Sequence, residues 1–139
     1  MLQVGEFAPP FQFSPVFGLG IDSDRLSRAL VVVFQRGLAA RRLAPLVALW
    51  PDLDRQGHGL VVLTDVTLTK ARDVVPRQHL RFPVVIDPQR FDAWGVQGRR
   101  WMSPSVAFVL GPDRRVLYRG PVSSEALLQA VRGPESSSS

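Results

Sequence analysis

The sequence predicts an α/β fold: a central mixed β-sheet made of a parallel β-α-β half and an antiparallel β-hairpin, with helices on both faces. Three observations predict it. Ala29-Leu30-Val31-Val32-Val33-Phe34 is an unbroken apolar run, short and β-branched, as a strand covered on both sides requires. That run passes through a short turn into a helical apolar period, and the strand–helix alternation then repeats. Near the end, Ser105–Leu110 and Val116–Arg119 flank the tight turn Gly111-Pro112-Asp113-Arg114, which is a hairpin pattern.

Each element follows in order. Residues 1–28 are rich in Pro, Gly and Phe, and Pro9-Pro10, Pro15, Gly18 and Gly20 break any long element. Extended segments are expected there, with a small hairpin through Phe11–Phe13, and Asp22-Ser23-Asp24-Arg25-Leu26 suits one capped helical turn. Leu30–Phe34 is the first buried strand. From Ala39 a helix runs through Leu43, Leu46/Val47, Trp50 and Leu53, with Pro45 expected to kink or restart it. Gln56-Gly57-His58-Gly59 ends that helix, and His58 is expected to be a solvated turn residue. Leu60–Leu63 is a second strand, Thr67–His79 a helix bent at Pro76, and Phe82–Ile86 a third strand. Asp87-Pro88 supplies an N-cap followed by Pro at the first position of a short helix, which stops at Gly95. Trp50 and Trp94 are expected in the core. After the terminal hairpin, Ser123 caps a helix over Glu125–Val131, with positions 127, 128 and 131 on one apolar face.

Composition narrows the function. The chain has 139 residues, 45% apolar and 21% charged, with mean hydropathy +0.06, which fits one globular domain and excludes disorder. That domain is assigned to 1–133, and the Ser-rich stretch 134–139 to a flexible tail that does not fold by itself. No run approaches the roughly 18 apolar residues of a membrane span. The first residues lack the basic head and apolar core of a secretory signal, so a cytoplasmic location is expected. Net charge is +5, yet the arginines are scattered and no aromatic-interleaved basic segment occurs, so a nucleic-acid partner is the least favoured class.

Cysteine is absent altogether. There is accordingly no disulfide, no thiolate metal site and no thiol redox centre. His58 and His79 stand in no metal-ligand spacing, and no metal or other cofactor is expected. The Asp52/Asp54 pair and the Asp65–Asp73 carboxylates are expected to be helix-end charges, with no acid–base role.

Four segments carry a family resemblance. They are Val4-Gly5-Glu6-Phe7-Ala8-Pro9-Pro10-Phe11; Leu30–Pro45; Phe82-Pro83-Val84-Val85-Ile86-Asp87-Pro88 on to Trp94-Gly95-Val96; and Ser103-Pro104-Ser105-Val106-Ala107-Phe108-Val109-Leu110, with Gly111-Pro112-Asp113 and Tyr118-Arg119-Gly120. In order and extent they resemble the AhpC/TSA (peroxiredoxin-like, redoxin) branch of the thioredoxin-like superfamily. The resemblance implies a thioredoxin-like fold, a cis peptide at Pro104, and an antioxidant thiol chemistry at the start of the first helix. In that family a Cys-x-x-Cys or a single reactive cysteine stands there, ahead of a proline. Counting back from Pro45 puts Ala40 at the second cysteine and Gly37 at the first; a shorter loop puts Leu38 or Ala39 at the first instead. None of these four side chains is a nucleophile, a base or a metal ligand.

Peroxide reduction and disulfide exchange both require a thiolate. No Ser or Thr between Phe34 and Trp50 replaces it, and a Met102 thioether oxidises stoichiometrically. Autonomous redox catalysis is therefore expected to be absent. What remains is an electropositive helix start with Arg36, Arg41 and Arg42 beside it. The resemblance adds Arg99, Arg100, Trp101, Ser103 and Pro104 to the same rim, Trp101 partly exposed. The functional reading is a non-catalytic binding or regulatory domain that takes a protein, acidic peptide or anion there, as a monomer or a homodimer. The alternative for the arginines is a solvated rim. An enzyme working with an external thiol such as glutathione is the competing class.

Overall fold

The computed structural model describes residues 2–96 and 105–132. Strands β1 (Gln12–Phe13) and β2 (Ile21–Asp22) pair antiparallel. They lead into a single 3-10 turn at Ser23–Arg25, where the Asp22 carboxylate accepts the Asp24 N–H at 2.9 Å. Then come β3 (Leu30–Phe34), α1 (Ala40–Arg55), β4 (Gly59–Thr64), α2 (Leu68–Arg77), β5 (Val84–Ile86), α3 (Pro88–Ala93), β6 (Val106–Leu110), β7 (Val116–Pro121) and α4 (Ser124–Arg132).

The main sheet has the order β5-β4-β3-β6-β7. Strands β3, β4 and β5 run parallel, β6 pairs antiparallel with β3, and β7 pairs antiparallel with β6. This is the mixed sheet expected, with β3 at its centre. Period-2 alternation divides the buried residues into two layers. Val31, Val33, Leu60, Val62, Ala107 and Val109 face α1, α2 and α4. Val32, Phe34, Val61, Leu63, Phe108 and Leu110 face the other way, under Phe11, Phe13, and Phe91 and Trp94 at α3.

The second layer is aromatic. Phe34 has the rings of Phe91, Trp94 and Phe108 at 5.0, 5.5 and 5.4 Å, in tilted or edge-to-face geometry that favours each pair. Arginines close it off: the Arg36, Arg90 and Arg119 guanidiniums lie over Phe91, Phe13 and Phe108 at 4.5, 5.0 and 5.1 Å. Arg119 also donates to the backbone carbonyls of Leu2 (2.6 Å), Trp94 (3.2 Å) and Gly95 (3.0 Å), tying the N-terminal segment to the end of α3.

Both sheet edges meet the N-terminal segment. The Val16 N–H bonds the Val84 carbonyl on β5 at 2.8 Å, and Gly5, Glu6 and Ala8 bond Val116 and Arg114 at the start of β7. Helix ends follow their sequence signals: Thr67 Oγ1 accepts the Lys70 N–H (3.2 Å) and Ser123 Oγ the Ala126 N–H (3.3 Å).

Several local expectations need correction. Helix α1 runs unbroken through Pro45 and Pro51, and it buries Leu43, Leu46, Leu49 and Leu53. Leu49 takes the inward position, so Val47 is exposed and Trp50 is only partly buried at the layer's margin, while Trp94 is in the core. Asp87 occupies the N-cap position before Pro88, but its side chain does not cap; the carboxylate instead accepts from Arg90 Nε at 2.6 Å. His58 is half-buried, and its Nδ1 accepts the Ala29 N–H at 3.3 Å, joining the turn after α1 to the start of β3.

Candidate functional site

The site lies where β3 gives way to α1. Gln35 extends β3 by one residue, its N–H bonding the Leu63 carbonyl at 2.9 Å. Its buried amide is fixed from two sides: Oε1 accepts from Ser105 Oγ, and Nε2 donates to the Arg36 carbonyl at 3.2 Å. Gly37 follows with φ +75°, a left-handed conformation that favours glycine even though a Cβ there would meet nothing within 4 Å.

Asp65 holds that turn. The parallel register that sets Phe34 beside Leu63 carries Asp65, just past β4, to the turn between β3 and α1. Its carboxylate accepts the Gly37 N–H at 3.1 Å and pairs with Arg36 at 3.5 Å. The Asp65 side chain is only 5% exposed and that of Arg36 19%, so the pair is shielded from solvent. Sequence reasoning placed Asp65 among the helix-end charges; it is instead the clamp of the loop. No local pattern announces this, because the contact spans 28 residues.

Leu38 is buried, and its carbonyl accepts from Gln78 Nε2 at 3.0 Å, which fastens the loop to the end of α2. Helix α1 then starts without a cap. Ala39 is its N-cap and has no side-chain oxygen to offer, and no acidic residue occupies the first turn. The N–H groups of Ala40 and Arg41 are left with no intrahelical acceptor, which concentrates partial positive charge there.

Between this start and α2 lies a groove of about 550 Å³. One wall is Gly37, Leu38, Ala39 and Ala40; the other is Lys70, Val74, Arg77 and Gln78. Arg77 is paired with Asp73, whereas the Lys70 ammonium has no ion-pair partner among the described residues. Lys70 is the sole lysine of a chain with 16 arginines.

The expected binding residues are therefore only partly brought together. Arg41 is exposed and Arg42 half-buried in the first turn of α1. Arg36 turns toward Phe91 and the aromatic layer, with its charge met by Asp65. Arg99, Arg100, Trp101, Ser103 and Pro104, and with them the expected cis peptide, lie outside the described residues. Among the described residues no group of three His, Cys, Asp or Glu side chains is placed to hold a metal. No helix among them is long and apolar enough to cross a membrane. Nucleophiles are missing from the loop itself, and the nearby Ser105 hydroxyl is engaged by Gln35. Among the described residues, the loop Gly37–Ala40 itself carries no group with which to attack.

Solved structures share the architecture. AhpC of Mycobacterium tuberculosis superposes with TM-score 0.78 at 15% identity, over 99% of this chain and 95% of that one. Peroxidoxin BcpB of Mycobacterium tuberculosis gives 0.75 at 18% identity, over 96% and 99%. A protein described as the thiol:disulfide interchange protein DsbE, from Chlorobium tepidum, gives 0.75 at 20% identity, over 95% and 97%. No family model matches the sequence, and no curated protein matches it. At such identities the likeness shows the fold, which is thioredoxin-like.

Proposed function

We propose that this thioredoxin-like, cysteine-free chain is a non-catalytic binding domain that holds an acidic ligand or protein segment at the start of α1. One observation carries the reading. Gly37, Leu38, Ala39 and Ala40 offer no nucleophile, yet the helix start stays uncapped, electropositive and fastened on both sides by Asp65 and Gln78. An uncapped N-terminus attracts anionic groups, and a pre-ordered loop lowers the entropy lost on binding.

Two measurements test it. Hydroperoxide consumption by the purified chain with a dithiol is expected to equal that of buffer. The same assay with glutathione is also expected to stay at background; turnover there would replace this reading with that of an enzyme fed by an external thiol. Arg41→Glu is expected to abolish recovery of a bound partner, and unchanged recovery would remove the helix start as the site.

A further inference from the structure

We infer that the groove between the start of α1 and α2 takes an extended acidic peptide, with one apolar side chain in the recess and a neighbouring carboxylate on Lys70. The inference rests on the binding-domain reading and gives it an occupant.

Charge and shape both point to this chemistry. Among the described residues, Lys70 and Arg41 have no ion-pair partner while Arg77 is met by Asp73, and no acidic residue lines the groove. The uncapped N–H groups at Ala40 and Arg41 add to the same sign of charge. Leu38, Ala39, Ala40 and Val74 make the recess itself apolar, and among the described residues no ring lines it on which a nucleobase would stack. A volume of about 550 Å³ holds one or two side chains rather than a folded surface. A peptide fits better than a bare anion, because an anion would leave the apolar wall uncovered.

The single lysine makes the test specific. The probe is a short acetylated, amidated peptide with one Leu flanked by Asp and Glu, titrated into the full chain by calorimetry and then coupled with a carbodiimide. Coupling is expected at Lys70 and not at the N-terminal amine, as read by mass spectrometry of the digest. Lys70→Glu is expected to weaken binding about five- to tenfold, the scale of an exposed ion pair lost and reversed. Lys70→Arg should retain the affinity and abolish the coupling. Ala40→Phe, at an exposed position, should fill the recess and block binding. Replacing the peptide's Leu with Gly should weaken binding, and a free small carboxylate should not compete.

Equal binding by Lys70→Glu and by Ala40→Phe would overturn the groove. If Arg41→Glu alone then removed binding, the binding-domain reading would survive without it. Competition by a small carboxylate at similar concentration would show an anion site and overturn the peptide.

Discussion

Gly37 and Asp65, 28 residues apart, are joined by a 3.1 Å hydrogen bond from a backbone N–H to a carboxylate that also pairs with Arg36. Removing that carboxylate leaves a cation and a backbone donor in a shielded place with no acceptor. Asp65→Ala is therefore expected to cost about 2–3 kcal/mol of unfolding free energy, measured by urea denaturation. Hydrogen exchange at the Gly37 amide should quicken by more than the global loss explains. A change under half a kcal/mol, in the range of ordinary surface substitutions, would show that the clamp contributes little.

A pH dependence follows from His58. Its Nδ1 must be unprotonated to accept the Ala29 N–H. Burial first, and then the Arg28 guanidinium, push its pKa below the ordinary 6.5. The unfolded chain takes up the proton more readily, so this contribution is full above about pH 6.5 and declines as pH falls through the lower folded value. His58→Asn, which offers a non-titrating oxygen, is expected to flatten that part of the stability–pH profile. Parallel profiles for the two proteins would refute it.

A thiol placed at the helix start should report the field there. Ala40→Cys places a thiol at the first residue of the uncapped α1. Its pKa is expected to fall below the ordinary value of about 8.5, because the helix terminus and nearby arginines favour the thiolate. Alkylation rate against pH reads this directly, and a profile like that of a free thiol would mean the field is screened.

Arg119 donates to three carbonyls and has no carboxylate partner among the described residues. Arg119→Met removes the guanidinium from over Phe108 and takes the side-chain donor from the carbonyls of Leu2 and Gly95, while the Trp94 carbonyl keeps the Leu2 N–H at 3.3 Å. The expected loss is about 2–3 kcal/mol, with faster proteolysis of the first residues. Unchanged cleavage there would show that the N-terminal segment is held by packing alone.

Much of the architecture was legible because it is local. The apolar run Leu30–Phe34, the glycine-bounded turn before Gly59, Pro88 at a helix start and the Gly111–Arg114 turn each define their element from adjacent residues. The choice between Val47/Trp50 and Leu49 as the inward positions of α1 was not legible, since both sets follow a helical period and only the sheet beneath selects one. The positions at which the resemblance puts cysteines, Gly37 to Ala40, could be counted from Pro45. Asp65, Gln78 and Lys70 could not be assigned to the site, because strand register and helix placement bring them there from elsewhere in the chain. Asp87 and His58 show the same limit in reverse: each sits in the expected turn, with a side chain that answers to a different neighbour.

The N-terminal arm reaches both margins of the sheet, at Val84 on one side and at Arg114 and Val116 on the other. Unpaired margins invite strands from other chains, so the arm acts as a guard against aggregation. The guard precedes the main sheet in the chain, but the strand it must cover at β7 is the last of that sheet. During translation the growing sheet is left with a bare margin until β7 has emerged, and deleting the arm is expected to raise the share of the expressed chain found in inclusion bodies.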